Sequence, residues 1–360
     1  MQGEFGCALI VHSEHPFNAE PPLHRLRAAF ITPRSDFYIR SHGAVPRLDA
    51  ASHRLRVDGL VATPLDLSMR ELRGRFPHRT VTAVLQCAGN RRADMHAVRP
   101  VSGDPWAAGA IGNARWTGVA LADVLRQAGA PGDPALHVAF SSCDEVELPS
   151  GGRFRYGASI PMAKALSPEV LLVFAMNGED LAPEHGFPLR AIVPGYAGVR
   201  SPKWLAAVTL QARPSDNPMQ QHDYRLLPPD TAEPGLGVAI NEMPLNAAIC
   251  VPDRDAELPP GRIAVKGYAI ATARTVTRVD VSADRGRTWR QADLNDDPAA
   301  PWSWTFWRTM LDLPPGEHEL VARAWDSAGQ TQPARAEHVW NVKGYLCAAW
   351  HRVPVRVRGG

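Results

Sequence analysis

Glycine and proline interrupt this chain about once every six residues, and that punctuation limits what it can fold into. The 29 Gly and 33 Pro among 360 residues amount to about 17%, against roughly 12% in average usage. Neither residue suits a helix or strand interior, so the spacing predicts short strands joined by many turns. Helical signals are few. Ser68-Met69-Arg70-Glu71 has the reciprocal pattern of a capping box. Leu121, Val124, Leu125 and Ala128 repeat at the spacing of one helical face, and Gly129 supplies a stop. A third short helix is expected from Pro161, a residue suited to a first turn, to about Leu166. The first two thirds therefore reads as α+β, with Val81-Thr82-Ala83-Val84-Leu85 and Val170–Ala175 among its strands.

The texture changes after Pro228. Pro228-Pro229-Asp230 through Pro234-Gly235 is turn-rich and lacks hydrophobic periodicity, which places a boundary near residue 232. Two domains follow, 1–232 and 233–360. In the second, Thr277, Val279 and Val281 alternate with Arg278, Asp280 and Ser282, and Asp284-Arg285-Gly286 turns the chain into Thr288-Trp289-Arg290, a hairpin. Leu320, Ala322 and Ala324 alternate in the same way before a turn at Asp326–Gly329. The C-terminal part thus reads as an all-β sandwich of immunoglobulin-like size. No repeats or low-complexity tracts occur.

Composition excludes several function classes. The 39 Lys/Arg and 37 Asp/Glu leave a net charge of +2 with the signs intermixed, so no broad footprint for nucleic acid is present. No apolar run approaches the roughly 18–20 residues that cross a bilayer. Met1–His12 lacks the basic and apolar regions of a secretory leader, which predicts a cytoplasmic protein, or a periplasmic one if a leader has already been removed. Cys7, Cys87, Cys143, Cys250 and Cys347 are odd in number and widely spaced, so neither a disulfide framework nor a structural zinc site is expected.

Cys87 stands out among them. It follows a β-rich run and opens the turn Ala88-Gly89-Asn90-Arg91-Arg92, where a strand gives way to a loop. Two arginines within five residues would favour a thiolate there, which is a nucleophile or a soft metal ligand. A small buried hydrophobe is the other reading of a free cysteine.

The run Leu85–Arg92 resembles the molybdenum-ligating motif of the sulfite oxidase family. Phe37–His42, Gly109–Trp116, Tyr156–Pro161 and His185–Pro188 with Arg190 and Val193–Gly195 resemble that family in its order. Trp340–Gly344 with Ala349–Arg352 is similar to the end of its dimerisation domain, and Pro16–Pro22 resembles the members without a fused haem domain. Each string is a weak signal, but several in order around the right Cys are specific. The resemblance implies a molybdopterin domain followed by an immunoglobulin-like dimerisation domain. It also implies a molybdenum–molybdopterin cofactor with Cys87 as the protein's one sulfur ligand, a choice that suits a thiophilic metal.

By the same resemblance, Arg40, Arg92, Trp106 and Tyr224 line the substrate pocket, and Tyr38, Ile39, Arg40, Ser41, His42, Asp144, His185, Arg190, Ser201, Pro202 and Lys203 anchor the cofactor. Arginine forks match oxyanion geometry. Where the family has an arginine reaching in from the dimerisation domain, this chain has Lys343; the charge is kept and the fork is lost, which points to weaker oxyanion binding or a different acceptable substrate. The implied activity is oxidation of sulfite to sulfate, with an oxo-transfer reductase acting on nitrate or sulfoxide, or a binding protein without cofactor, as alternatives. No C-x-x-C-H or His-Pro-Gly-Gly string occurs, so no haem is expected and electrons must leave to oxygen, a cytochrome or a partner subunit. A homodimer is implied, and Trp302, Trp304, Trp307, Trp325 and Trp340 give the C-terminal domain an aromatic density suited to an interface as well as a core.

Overall fold

The computed structural model describes residues 9–148, 151–228, 233 and 236–359. The expected boundary at residue 232, most of the turn-rich stretch around it, and Cys7 lie outside the described residues.

The N-terminal part packs two five-stranded sheets around one core. The first runs in the order Glu179–Asp180, Leu171–Met176, Ile111–Ala120, His78–Gln86, with Arg190–Ile192 also paired to Leu171–Met176. The second runs Leu65–Ser68, Arg54–Gly59, Leu205–Gln211, His137–Glu147, Arg153–Pro161, and its Arg54–Gly59 and Leu205–Gln211 pair in parallel. Between them Leu55, Val57, Val119, Val138, Phe140, Leu172 and Val208 are all but inaccessible. Each such side chain contributes roughly 1.5–3 kcal/mol by leaving water.

The three expected helices form. Met69–Arg75 is capped by Ser68, whose Oγ accepts from the Glu71 N–H at 3.2 Å while the Glu71 carboxylate accepts from the Ser68 N–H at 2.9 Å. Leu121–Gln127 buries Leu121, Val124 and Leu125 and gives way to Gly129 at φ +67°. Met162–Ala165 starts one residue later than expected, because Pro161 is the extended residue before the first turn rather than a member of it. Arg92–His96 and the π-helical turn Met219–Asp223 carry no strong sequence signal.

The C-terminal part is a sandwich of two sheets. One runs Asn246–Val251, Gly261–Ile270, Thr305–Leu313, Asp293–Asn295; the other runs Ala256–Leu258, His351–Val357, Gly316–Asp326, Val276–Ser282, Arg290–Gln291. The expected hairpin is present, with Asp280 opposite Gln291 and Val281 opposite Arg290. A register shift between Val276 and Arg278 turns Thr277 outward and Val276 inward, and Asp280 is fully buried.

The tryptophans serve the chain itself. Trp304 and Trp307 are fully buried, Trp304 in a cluster with Leu26, Val84, Ile111 and Tyr268 that joins the two parts. The Trp302 carbonyl accepts from the Val84 N–H at 2.9 Å. The Trp340 indole donates to the Arg99 carbonyl at 3.0 Å, and Trp325 stacks with Arg323 at 4.7 Å. Among the described residues no helix is long and apolar enough to cross a membrane.

Candidate cofactor and oxyanion site

Cys87 leaves the end of strand His78–Gln86 and enters a tight turn. The Cys87 carbonyl accepts from the Asn90 N–H at 3.0 Å, and the Gly89 carbonyl from the Arg92 N–H at 2.9 Å. The Cys87 Sγ accepts from the Gly89 N–H at 3.4 Å. A Cβ at Gly89 would lie 2.7 Å from the Arg92 guanidinium folded back over the turn, so a larger residue there would have to displace that side chain.

Arg91 corrects an expectation. Instead of favouring a Cys87 thiolate, its buried guanidinium points into the C-terminal sandwich. It donates to Asn246 Oδ1 at 2.8 Å and the Ala349 carbonyl at 2.6 Å, and pairs with Asp94 at 2.8 Å. The cause is its backbone, which at φ +66° sends the side chain of Arg91 away from that of Arg92. Arg40, from another segment, lines the same cavity as Cys87.

Cys87 lines a cavity in the N-terminal part. Its walls bring together Tyr38, Arg40, Ser41, His42, Asp144, His185, Arg190, Ser201, Pro202, Lys203 and Tyr224, from segments more than a hundred residues apart. Ile39 is the exception: it is buried with its backbone paired to Ala19 and does not line the cavity. Tyr156 and Glu184 also line it. The Tyr156 hydroxyl donates to the Val199 carbonyl at 3.0 Å, a contact that no short-range pattern reveals.

The cavity is rich in cations held by neutral acceptors. Arg190, 3% exposed, donates to the carbonyls of His185 and Ser201 at 2.8 and 3.1 Å. Lys203 donates to Ser41 Oγ at 2.9 Å and the Glu184 carbonyl at 2.8 Å. Burial and the nearby Arg190 push Lys203 down to about 7, and burial pushes Arg190 down to about 10. Burial also lifts Asp144 to about 6 against the pull of Lys203, and holds His185 neutral at about 3 with Lys203 and Arg190 beside it. Asp144 Oδ1, His185 Nε2 and Arg190 Nε are buried without a hydrogen-bond partner. Groups so enclosed are costly unless something pairs with them.

A second, more open pocket adjoins the first through Arg40 and His42, which line both, and adds Arg92, Asp104, Lys343 and Tyr345. Arg92 is anchored by donating to the carbonyls of Lys343 at 3.1 Å and Asp104 at 2.9 Å. The Lys343 ammonium lies 3.4 Å from Asp223. Tyr224, stacked on Tyr345 at 5.1 Å, lies 2.6 Å from His42 Nε2. Burial raises Tyr224 to about 12 and, with Arg40 and Lys203, drives His42 well below its ordinary value. The pair is thus a phenol beside a neutral imidazole. Trp106 is fully buried and lines neither pocket, although its indole N–H has no partner.

Residues 42–219 match the family described as oxidoreductase molybdopterin binding domain, and residues 237–358 match the Mo-co oxidoreductase dimerisation domain. A sulfite oxidase from Gallus gallus is 46% identical over 357 residues, 96% of this chain and 77% of that protein. The chain belongs to the sulfite oxidase family. A sulfite oxidase from Arabidopsis thaliana is 38% identical, with 97% of this chain and 94% of that protein covered. The solved structure of the sulfane dehydrogenase SoxCD from Paracoccus pantotrophus superposes with a TM-score of 0.84 at 27% identity, covering 99% of this chain and 90% of that one. The sulfite oxidase fold therefore stands as the sequence predicts, a mixed α/β molybdopterin domain followed by a β dimerisation domain.

The residues present fit the cofactor of this family. One thiol, Cys87, faces the cavity, as needed when a pterin supplies the other sulfurs. Arg190 and Lys203, among the described residues, form no ion pair with a carboxylate, which suits the phosphate of such a group. The unpartnered atoms of Asp144, His185 and Arg190 supply further hydrogen-bonding capacity.

Proposed function

We propose that this protein oxidises sulfite to sulfate with a molybdenum–molybdopterin cofactor and passes two electrons to an external acceptor. The observation that carries this reading is Cys87 at the wall of a cavity whose cations have only neutral acceptors, directly beside a second pocket holding Arg40, Arg92 and Lys343. The names of the relatives support the same substrate.

When bound, the cofactor supplies the two-electron oxidation by which sulfite gains an oxygen atom. Cys87 would ligate its metal, while Arg190, Lys203, Ser41, His42, Asp144 and His185 would hold the pterin and its phosphate. The anion enters the open pocket and is held by Arg40 and Arg92 as planar forks and by Lys343 as a point charge. The carbonyls that grip Arg92 fix its direction before substrate arrives, which lowers the ordering cost of binding. The Tyr224 hydroxyl beside neutral His42 can donate or accept at the edge of this pocket without bringing another charge. Net chemistry is sulfite plus water to sulfate, two protons and two electrons; oxygen or a cytochrome takes the electrons, with no haem needed in this chain. Two copies associate through the C-terminal sandwich.

Steady-state turnover tests the reading. Sulfite with ferricyanide should give turnover, and reduced viologen with nitrate should not; a rate only in the second assay overturns sulfite oxidation in favour of a reductase.

A further inference from the structure

A two-stranded hairpin, Ile10–Glu14 with Phe17–Glu20, precedes both matched domains, and its second strand grips the oxyanion pocket from two sides. On one side, Asn18 Oδ1 accepts from the Ser41 N–H at 2.7 Å and from Arg40 Nη1 at 3.4 Å. The backbones of Ala19 and Ile39 exchange hydrogen bonds of 3.0 and 2.8 Å, so the strand sets the path of the Arg40 segment. On the other side, Glu20 is 1% exposed. Its carboxylate accepts from the N–H groups of Ala107 and Gly109 at 2.7 and 2.8 Å and lies 2.7 Å from His12 Nε2. A Cβ at Gly109 would lie 2.8 Å from Glu20 Oε2, so the loop can come this close only as glycine. His12 packs edge-on against Trp106 with centroids 4.8 Å apart.

The gripped loop hands its order on to the pocket. The Ala107 carbonyl accepts from the Arg91 N–H at 2.8 Å, and the Trp106 carbonyl from the Ala93 N–H at 3.0 Å. The Asp104 carbonyl holds Arg92 Nη1 at 2.9 Å. Carboxylate-to-amide bonds are stronger than neutral ones, and burial strengthens them further.

We propose that Asn18 and Glu20 are positioning residues for the oxyanion, Asn18 setting Arg40 and Glu20 setting Trp106 and Arg92, so that the hairpin fixes affinity for small tetrahedral and pyramidal oxyanions. This rests on the reading that Arg40 and Arg92 hold the anion. Glu20→Gln keeps the shape but opposes an amide NH₂ to one of the two backbone N–H groups, leaving that donor unpaired. Asn18→Asp keeps the acceptor for Ser41 but sets a carboxylate beside Arg40, in competition with the substrate.

The test uses the full-length, molybdenum-loaded protein, with sulfate as the binding probe measured by calorimetry, alongside sulfite KM and kcat, molybdenum content and Tm. Both variants are expected to weaken sulfate binding and raise KM by about tenfold, the scale of one unpaired buried donor, with kcat within about threefold and molybdenum content as in the wild type. Unchanged sulfate affinity at normal molybdenum content overturns the proposal, whether or not Tm falls, because a merely structural role would move Tm alone. If Glu20→Gln does not fold, Asn18→Asp decides by the same criterion. Wild-type protein that binds sulfate yet does not turn over sulfite overturns the sulfite reading and leaves the hairpin comparison intact.

Discussion

Two buried sites of this chain, one in each half, hold charge in opposite ways. In the C-terminal sandwich, Asp280 is fully enclosed yet saturated: Arg278 reaches it with two bonds of 2.8 and 3.0 Å, and Arg323 with one of 3.2 Å. Arg323 in turn stacks on Trp289 at 3.7 Å. In the N-terminal cavity, Arg190 and Lys203 are enclosed with carbonyl and hydroxyl oxygens only, and atoms of Asp144, His185 and Arg190 lack any partner. A buried charge paired inside the chain holds a fold together, whereas one left without its counter-charge weakens the fold and prepares a seat for a ligand. The contrast separates a structural charge cluster from the cavity that does chemistry.

The largest expected effect is at Cys87. Cys87→Ser should fold and lose turnover by more than about a hundredfold, because a hydroxyl is a poor soft-metal ligand where even supporting residues of metal sites are worth 10–100-fold. Sulfite kinetics with the thiolate-to-metal absorption band check this, and normal turnover with a normal band contradicts Cys87 ligation.

Next comes the structural cluster. Asp280→Asn should lower the unfolding free energy by about 2–3 kcal/mol, the cost of weakening charged hydrogen bonds at a buried site, and leave sulfite KM unchanged. Urea unfolding and kinetics together read this; a shift in KM with intact stability breaks the division between the two sites.

A pH dependence sharpens the same comparison. In cofactor-free protein the Lys203 value is about 7, against 10.5 ordinarily, so the folded state disfavours its charged form. That penalty is full below about pH 7 and shrinks as pH rises from 7 toward 10.5. Stability of the wild type relative to Lys203→Met should therefore increase between pH 7 and 9.5. Phosphate binding, which favours the protonated lysine, should weaken over the same range. A flat difference contradicts the seat described for Lys203.

The smallest effect is at Lys343. Lys343→Arg restores a fork and should lower sulfite KM by about threefold with kcat little changed. An increase in KM means that the pocket is shaped for the ammonium paired with Asp223.

Much of this was legible in the sequence where the determinants are local. The Ser68 capping box, the Leu121–Ala128 face and the hairpin alternation around Val279 and Val281 all depend on neighbours within a few residues. So does the strand-to-turn setting of Cys87. Every expected site residue except Ile39 and Trp106 lines one of the two pockets. What stayed hidden depends on distant partners. Arg91 looks like a twin of Arg92, and only a left-handed backbone and carbonyls some 250 residues away redirect it. Asn18 and Glu20 stood out only as part of the family-like string Pro16–Pro22, because their partners at Ser41, Ala107 and Gly109 come from other elements. The tryptophans of the sandwich suggested an interface as well as a core; within the chain, Trp302, Trp304 and Trp340 also tie its two halves together, a role that periodicity cannot distinguish from a core.

The most direct test of the central claim is the molybdenum content of purified protein, by mass spectrometry, for the wild type and for the Arg190→Gln/Lys203→Gln double variant expressed in a cofactor-competent host. The account predicts a near-full complement in the wild type. In the double variant it predicts less than about a tenth of that, with folding retained because two costly buried cations are gone. A folded double variant that loads molybdenum as the wild type does would contradict the claim that these unpaired cations form the cofactor's seat.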